Sequence, residues 1–329
     1  MYEGVADAID PSPGLTGQRG GPLVTGGLGI DVGGTKISGV VIDALGSVVA
    51  RTRRPTPRDS GEAVLRACIE VATELRAVAA SGSIALGPIA VAVPGTIDSR
   101  NGVIVDSPVL DMRDVPIVEL AQQELGHPVT ALHDVKAAAF GELMAGAGVG
   151  QADIAYLNVG TGLSMAFVFG WKIHQGAGGT AGEIGHVVAD PAGATCNCGR
   201  RGCLETIASG PAIARRAGQS DGRLETVAAA ARRGEKEACA AFEEAAGHLA
   251  HVLADFVMVL DLSVVMVGGG VSSVGSPFLD PLNAALDREL ADVVQSARIV
   301  PAALGGESGV IGAAHWSRLA QDGRGSQAW

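Results

Sequence analysis

Aromatic side chains make up only 3% of the 329 residues, and positive charge is in deficit. With 24 Lys and Arg against 35 Asp and Glu the net charge is −11, so the global field repels polyanions except where a local basic patch outweighs it. General nucleic-acid binding is disfavoured on that ground. The chain also lacks any uninterrupted apolar run of the roughly 20 residues that a spanning helix needs, which excludes membrane insertion. Residues 1–26 have no basic start and no apolar stretch, and they carry Glu3, Asp7, Asp10, Pro11, Pro13 and Pro22. They read as a flexible Pro/Gly tail outside the fold, with no secretory leader. Cysteine is sparse and odd in number. Three of the five fall within residues 196–203, which suits a metal site in a reducing cytoplasm better than a disulfide framework. Cys68 and Cys239 sit in helical patterns and read as inert.

Small and aliphatic residues dominate instead: 47% of the chain is hydrophobic, and an interior of Ala, Val, Leu and Ile suits helices packed on parallel sheet. At about 150 residues per domain the length suggests two domains sharing a cleft. Leu28 to Asp43 reads as a β-hairpin turning at Gly33-Gly34 and carrying Asp31, Thr35 and Lys36. A helix over 61–79 follows, then a short strand Ile89 to Val93 ending at Pro94-Gly95, a helix over 116–125 and a strand Val129 to His133. Asp134 stands at the end of that strand, where open α/β sheets present ligand sites, and is expected to cap a long Ala-rich helix over 135–147. From Ala155 the order repeats: strand to Val159, turn Gly160-Thr161-Gly162, return strand Ser164 to Phe169. Helices over 207–217, 222–233 and 235–259, a strand Val264 to Val267, a helix over 280–293 and a last helix from Gly309 to Leu319 complete the reading. Two halves opening alike suggest a duplicated domain closing on a nucleotide.

Gly33-Gly34-Thr35-Lys36 offers unobstructed backbone N–H groups, a hydroxyl and a cation, the chemistry that holds terminal phosphates. Its spacing is not that of a P-loop, and a Gly-Gly turn alone means little. Paired with Gly160-Thr161-Gly162 across a cleft it gains force, and Gly268-Gly269-Gly270 adds a third close backbone approach after a strand. Cys196, Cys198 and Cys203 with His186 upstream make a Cys3His set, which closes a tetrahedral zinc and leaves no open position, so the ion is expected to be structural. Glu183, three residues before His186, and Glu205, two after the last cysteine, would be held rigidly by that ion and could bond sugar hydroxyls at little ordering cost.

Taken in order, Asp31-Val32-Gly33-Gly34-Thr35-Lys36, Pro94-Gly95, Asp134 before an Ala-rich helix ending Gly141-Glu142, Gly160-Thr161-Gly162, Glu183-Ile184-Gly185-His186, the cysteine cluster and Gly268-Gly269-Gly270 resemble the ROK family of sugar kinases, and within it the actinobacterial glucokinase-like members. The resemblance spans about 28–315. It implies a duplicated actin-like (ribonuclease H-like) α/β fold, with a small domain of 27–133 plus 309–329 and a large domain of 134–308. It also implies ATP-dependent phosphorylation of a hexose 6-hydroxyl, Mg²⁺, structural Zn²⁺ and a homodimer. By position, Asp134 would be the general base and Asp31 the Mg²⁺ partner through water. The loops at 33–36, 160–162 and 268–270 would hold ATP, and Gly95, Val109, His133, Glu183, His186 and Glu205 would line the sugar.

Several positions depart from the family pattern. His133 stands where glucokinases carry Asn, Val135-Lys136 where they carry Ala-Asn, Val109 where a sugar-binding Asn is usual, and Leu163-Ser164-Met165 where glycines are usual. Losing an amide on the O3/O4 side of glucose leaves hydroxyls unpaired at about 1–3 kcal/mol each. The substrate expected is therefore glucose or a sugar altered at C3 or C4, such as the 3-amino sugar kanosamine, with a C7 cyclitol as the alternative. Some relatives are sugar-sensing repressors with an N-terminal winged helix-turn-helix; the 26 residues ahead of the hairpin are too few for one, and an enzyme is expected.

Overall fold

The computed structural model of the chain describes residues 26–219, 223–293 and 296–320. The expected tail, apart from Gly26, and residues 321–329 lie outside them. In chain order the first half runs β1 (Gly27–Val32), β2 (Lys36–Ile42), β3 (Val48–Pro55), α1 (Gly61–Ser81), β4 (Ile89–Val93), β5 (Thr96–Asp98), β6 (Val103–Ser107), β7 (Met112–Val115), α2 (Ile117–Leu125), β8 (Val129–His133) and α3 (Asp134–Ala145). The second half runs β9 (Ile154–Val159), β10 (Leu163–Phe169), β11 (Lys172–Ile173), α4 (Glu205–Ala208), α5 (Gly210–Arg216), α6 (Leu224–Arg232), α7 (Lys236–Leu260), β12 (Val264–Gly268), α8 (Ser276–Glu289), β13 (Arg298–Pro301) and α9 (Ser308–Ala320).

Two five-stranded sheets, β3-β2-β1-β4-β8 and β11-β10-β9-β12-β13, repeat one pattern. In each, an antiparallel ladder at one side continues into two parallel strands at the other. This is the duplicated actin-like α/β arrangement that the motifs imply. The parallel strands carry apolar residues on both faces, as strands covered on both sides must. Along β1 and β4, Leu28, Ile30, Ile89 and Val91 face a core built with α1 and α2, while Ala90 and Ala92 face inward toward α3 and α9. The inner core also takes Tyr156, Ala166 and Met266 from the second sheet.

Between the sheets, α3 is buried on nearly every side, as an Ala-rich helix without a polar stripe should be. It crosses α9 where neither helix has a side chain: a Cβ at Gly312 would run into the Ala137 carbonyl, and one at Gly141 into the Ser308 carbonyl. Next to the crossing, Phe140 and Trp316 meet edge-to-face with centroids 5.5 Å apart. α9 also lies on β1, close enough that a Cβ at Gly29 would meet the backbone of Val310 and Ala313.

Three sequence-based expectations are corrected. Helix 207–217 is broken at Ser209, whose ψ of 159° is extended. The Ala-rich helix ends at Ala145 and not at 147. Its N-cap is His133, through a ring nitrogen, with Asp134 as the first helical residue.

Candidate active site

In the first sheet the parallel strands β1, β4 and β8 end together. The register pairs Asp31 with Ala92 and Val93 with His133, so Asp31, Pro94-Gly95 and His133-Asp134 share the carboxyl edge, where such sheets bind ligands. The phosphate-type turn lies beside them. Gly33 N–H donates to the Lys36 carbonyl at 2.9 Å, and Thr56 pins the turn from outside, its hydroxyl donating to Gly33 at 2.6 Å and its N–H to Thr35 at 3.1 Å. Thr35 is exposed. Val109, 62% exposed, packs over Gly34, so closely that a Cβ there would sit 2.6 Å from its Cγ1. Gly95 needs its freedom: its φ is +101°, and a Cβ would come within 2.9 Å of the Ser107 backbone.

The carboxylates at this edge are short of solvent. Burial pushes Asp31 up to about 7, the charge of Asp134 adding to the effect and Lys36 opposing it. Asp134 is pushed up to about 6, chiefly by burial and further by Glu183, while the Val135 N–H, 2.7 Å from Oδ1, pulls the other way. A third of its side chain faces the cleft. His133 is held down at about 4 by burial and then by Lys136, so its ring is neutral. Its Nδ1 lies 3.2 Å from the Val135 N–H and 3.1 Å from Asp134 Oδ1, at the start of α3.

Lys136 shows a function that its residue type alone did not. Its ammonium is buried and donates to Gln175 Oε1 at 2.7 Å and to the Gly179 carbonyl at 2.5 Å, tying α3 to the segment that leads into Glu183. Burial lowers it to about 8. Its presence as a departure from the family pattern was visible in the sequence; its partners, 39 and 43 residues away, were not.

The second glycine turn and the strand-end glycines come together. Gly160 N–H donates to Gly162 O at 3.0 Å, Gly210 N–H donates to Gly160 O at 2.8 Å, and Gly270 N lies 4.0 Å from the Cβ position of Gly160. Gly269 has a φ of +80°, and a Cβ there would lie 2.7 Å from Asn158 Oδ1; a side chain at Gly268 would strike the Tyr156 hydroxyl. Neither Asn158 nor Tyr156 was singled out from sequence, where strand residues without a motif carry no signal. Thr161 is exposed at the turn. Glu205 reaches the same place, its Oε2 accepting from Leu163 N–H at 3.0 Å, while Glu183 is exposed at the start of the short 3₁₀ turn Ile184–His186.

His186 Nδ1 and the sulfurs of Cys196, Cys198 and Cys203 all lie within 4.8 Å of one another. Two edges of that group measure 3.6 Å (Cys198 to Cys203) and 3.7 Å (Cys196 to His186). Zinc–sulfur bonds of about 2.3 Å in a tetrahedron require edges of about 3.7 Å, so the donor set fits zinc in both chemistry and span. The loop is shaped for it by Gly199 and Gly202, at φ +87° and +73°. The Arg200 guanidinium donates to the His186 carbonyl at 2.7 Å.

Comparison with known proteins agrees with this geometry. The model of the ROK family matches residues 27–320. A glucokinase of Streptomyces coelicolor is 31% identical over 313 residues, covering 88% of this chain and 97% of that one. An N-acetylmannosamine kinase of Yersinia pestis is 32% identical over 305 residues, covering 89% and 98%. Among solved structures, a ROK family glucokinase from Streptomyces griseus in complex with glucose and AMPPNP superposes with a TM-score of 0.75 at 32% identity, covering 89% of this chain and 99% of that one. The family match spans the residues of both sheets, and the chain belongs to the ROK family.

Proposed function

We propose that this chain is an ATP-dependent hexose 6-kinase with Asp134 as general base. The observation that carries the reading is the meeting, at one sheet edge, of Asp31, the 33–36 turn and an Asp134 poised at about 6. The relatives phosphorylating glucose and N-acetylmannosamine, and the glucose and AMPPNP held by the S. griseus enzyme, support it. In the reaction the sugar 6-hydroxyl attacks the γ-phosphorus: the O6–P bond forms, the bond from phosphorus to the β,γ-bridging oxygen breaks, and its electron pair leaves with ADP. Asp134 takes the hydroxyl proton. The turn 33–36 and the Gly160–Gly162 and Gly268–Gly270 backbones position the triphosphate, which is most of what phosphoryl transfer asks of a protein. Asp31 would hold Mg²⁺ through water, and the ion when bound neutralises phosphate charge.

Glu183, His186 and Glu205 would receive the hydroxyls near C1 to C3. His186 uses Nε2 for this, since Nδ1 belongs to the metal cluster. Zinc would act only as a scaffold, four protein ligands leaving no place for water. Cys203→Ser is therefore expected to lower bound zinc from one per chain to none and to raise the sugar KM about 10- to 100-fold with a smaller change in the MgATP KM, read by metal analysis and steady-state kinetics.

The C3/C4 side of the pocket is rebuilt. Val109 offers no amide, His133 has committed Nδ1 to the helix N-terminus, and Lys136 is tied to Gln175 and Gly179. With Asp134, Glu183 and Glu205 around the cleft, a sugar bearing an amine at C3, such as kanosamine, is favoured over glucose. A coupled ADP-release assay with MgATP against glucose, mannose, N-acetylated hexosamines and kanosamine tests this. Kanosamine is expected to give the highest kcat/KM; glucose in first place would return the enzyme to ordinary glucokinases.

A further inference from the structure

Between β11 and the Ile184–His186 turn runs Gly176-Ala177-Gly178-Gly179-Thr180-Ala181-Gly182, four glycines in seven residues, directly before Glu183. Gly176, Gly179 and Gly182 take φ values of +75°, +78° and +107°, and glycine backbone loses the most freedom when it is ordered. The base of the segment is fixed by backbone: the Gly182 carbonyl accepts the Met165 N–H of β10 at 2.7 Å, and Ala181 N–H donates to the Gln175 carbonyl at 3.1 Å. Its tip is held differently. Over residues 176–180 the single hydrogen bond among the described residues is the one that the Gly179 carbonyl accepts from the Lys136 ammonium at 2.5 Å. The same ammonium is the partner of the Gln175 side chain, which is 9% exposed and whose Nε2 has no acceptor. One cation on α3 thus holds the segment at its start and at its tip.

Stability alone is a poor reason for that cation. Lys136 is 3% exposed and makes no ion pair with a carboxylate among the described residues. Burial lowers it to about 8, which leaves it charged at neutral pH. A buried charge facing neutral oxygens is costly to desolvate, and an apolar side chain of similar length often serves a core as well. What the charge supplies is two strong, directed bonds to a segment whose glycines give it no rigidity of its own. An Asn, the residue of the family pattern here, is shorter and does not reach as far from the same backbone position. The segment is also seated against β5: a Cβ at Gly179 would lie 3.1 Å from the Ile97 carbonyl. Gly179 stands four residues before Glu183, so the place of its carbonyl governs the course of the chain into that carboxylate.

From this arrangement we infer that Lys136 is a positioning residue for sugar binding, clasping the glycine segment 176–182 from the head of α3 and so holding Glu183 in place before the sugar arrives. Ordering the segment in advance removes a cost that sugar binding would otherwise carry, which places the effect on sugar affinity and not on the transfer step. The inference rests on the kinase reading above, in which Glu183 receives sugar hydroxyls.

Lys136→Met keeps the stem and removes the ammonium. It is expected to raise the sugar KM about tenfold, to leave kcat and the MgATP KM within threefold, and to speed amide hydrogen exchange at 176–183 in the unliganded protein, with bound zinc at the wild-type level. Gln175→Met should raise the sugar KM less, and Gln175→Glu, which keeps an oxygen for the ammonium, should stay within threefold of wild type. Combining Lys136→Met with Gln175→Met should be no worse than Lys136→Met alone, since both act on one clasp. A wild-type sugar KM in Lys136→Met would overturn the inference, as would equal falls in kcat and kcat/KM or additive effects in the combined variant. So would a lowered Tm with unchanged exchange at 176–183, which would make Lys136 a structural tie and nothing more. Should Lys136→Met fail to fold, the contrast between Gln175→Met and Gln175→Glu decides the matter. Absence of wild-type turnover with every sugar would instead remove the kinase reading, while the exchange measurement, which needs no turnover, would still show whether Lys136 holds the segment.

Discussion

Asp134→Asn is expected to reduce kcat by about 10²- to 10⁴-fold, the usual contribution of a positioned general base, while leaving the sugar dissociation constant nearly unchanged. The variant keeps the oxygen that accepts the Val135 N–H, so the start of α3 is preserved. The same substitution should stabilise the unliganded protein. Both Asp31 and Asp134 have folded-state values, about 7 and about 6, above the unfolded value of 3.8, so the fold favours their neutral forms. A carboxyl raised in this way lends stability that is complete below the unfolded value and is lost as pH rises through the folded one. Unliganded wild-type protein is therefore less stable at pH 8 than at pH 5. The amide of the variant carries no charge to desolvate, and the substitution removes one of the charges acting on Asp31. The variant's Tm should exceed that of wild type at pH 8 and approach it at pH 5. Loss of activity together with a lower Tm at pH 8 would mean that Asp134 serves the fold and not the reaction. In wild type, kcat/KM should fall as pH drops below about 6, with a slope approaching one, since the base must be ionised to take the proton.

The sequence made the central strands readable because β4, β8, β9 and β12 are short β-branched or aliphatic runs bounded by Gly, Pro or an acidic residue. The Gly160–Gly162 turn follows one of these runs and the Gly33-Gly34 turn follows β1, so both glycine turns were legible along with the hairpins that carry them. What escaped was structure decided by distant partners. β5, β6 and β7 are three to five residues each and largely polar at the exposed positions, with no period long enough to read. β3 places Arg51 and Arg53 on one face and Arg54 on the other, where it meets Glu70 and Glu74 of α1, and only the sheet order shows that it is an edge. At the site, Asp134 and the Cys/His set were marked by type and spacing. The capping use of His133 and the tether from Lys136 depend on backbone geometry and on a loop about 40 residues downstream. A local pattern cannot report either.

The largest effect on stability should come from a residue that touches no substrate. Glu142 sits at the end of α3, wholly buried, and its carboxylate gathers donors from three segments. Oε2 accepts from Ala147 N–H and Ala303 N–H, each at 2.9 Å, and Oε1 accepts from Leu304 N–H at 2.9 Å and from the Ser308 hydroxyl at 2.7 Å. These bonds fix the loop between β13 and α9 against the helix that begins with Asp134. That loop carries Gly306 beside the Lys36 ammonium, and α9 presents Gly309 to Asp31. Removing the carboxylate strands three backbone N–H donors at once, while the Ser308 hydroxyl can turn to the Gly305 carbonyl at 2.9 Å. At about 1–3 kcal/mol for each buried group left unsatisfied, Glu142→Ala is expected to cost on the order of 4 kcal/mol or more, a large share of the roughly 5–15 kcal/mol that holds a domain together. Glu142→Gln is the sharper probe because it conserves shape. One oxygen remains to accept, but the amide nitrogen must face N–H groups that can only donate: Leu304 alone if it takes the place of Oε1, where the Ser308 hydroxyl can turn to accept, and Ala147 with Ala303 if it takes the place of Oε2. The Gln variant should fold with a clearly lowered midpoint in urea and an unchanged slope, and with the 303–308 loop exchanging its amide hydrogens faster than in wild type. Its kcat should fall more than its sugar KM rises, because the displaced loop borders Lys36 and Asp31 and not the segment around Glu183 that we propose receives the sugar hydroxyls. A Gln variant as stable as wild type would mean that water fills the place of the lost acceptor and that Glu142 does not hold the loop.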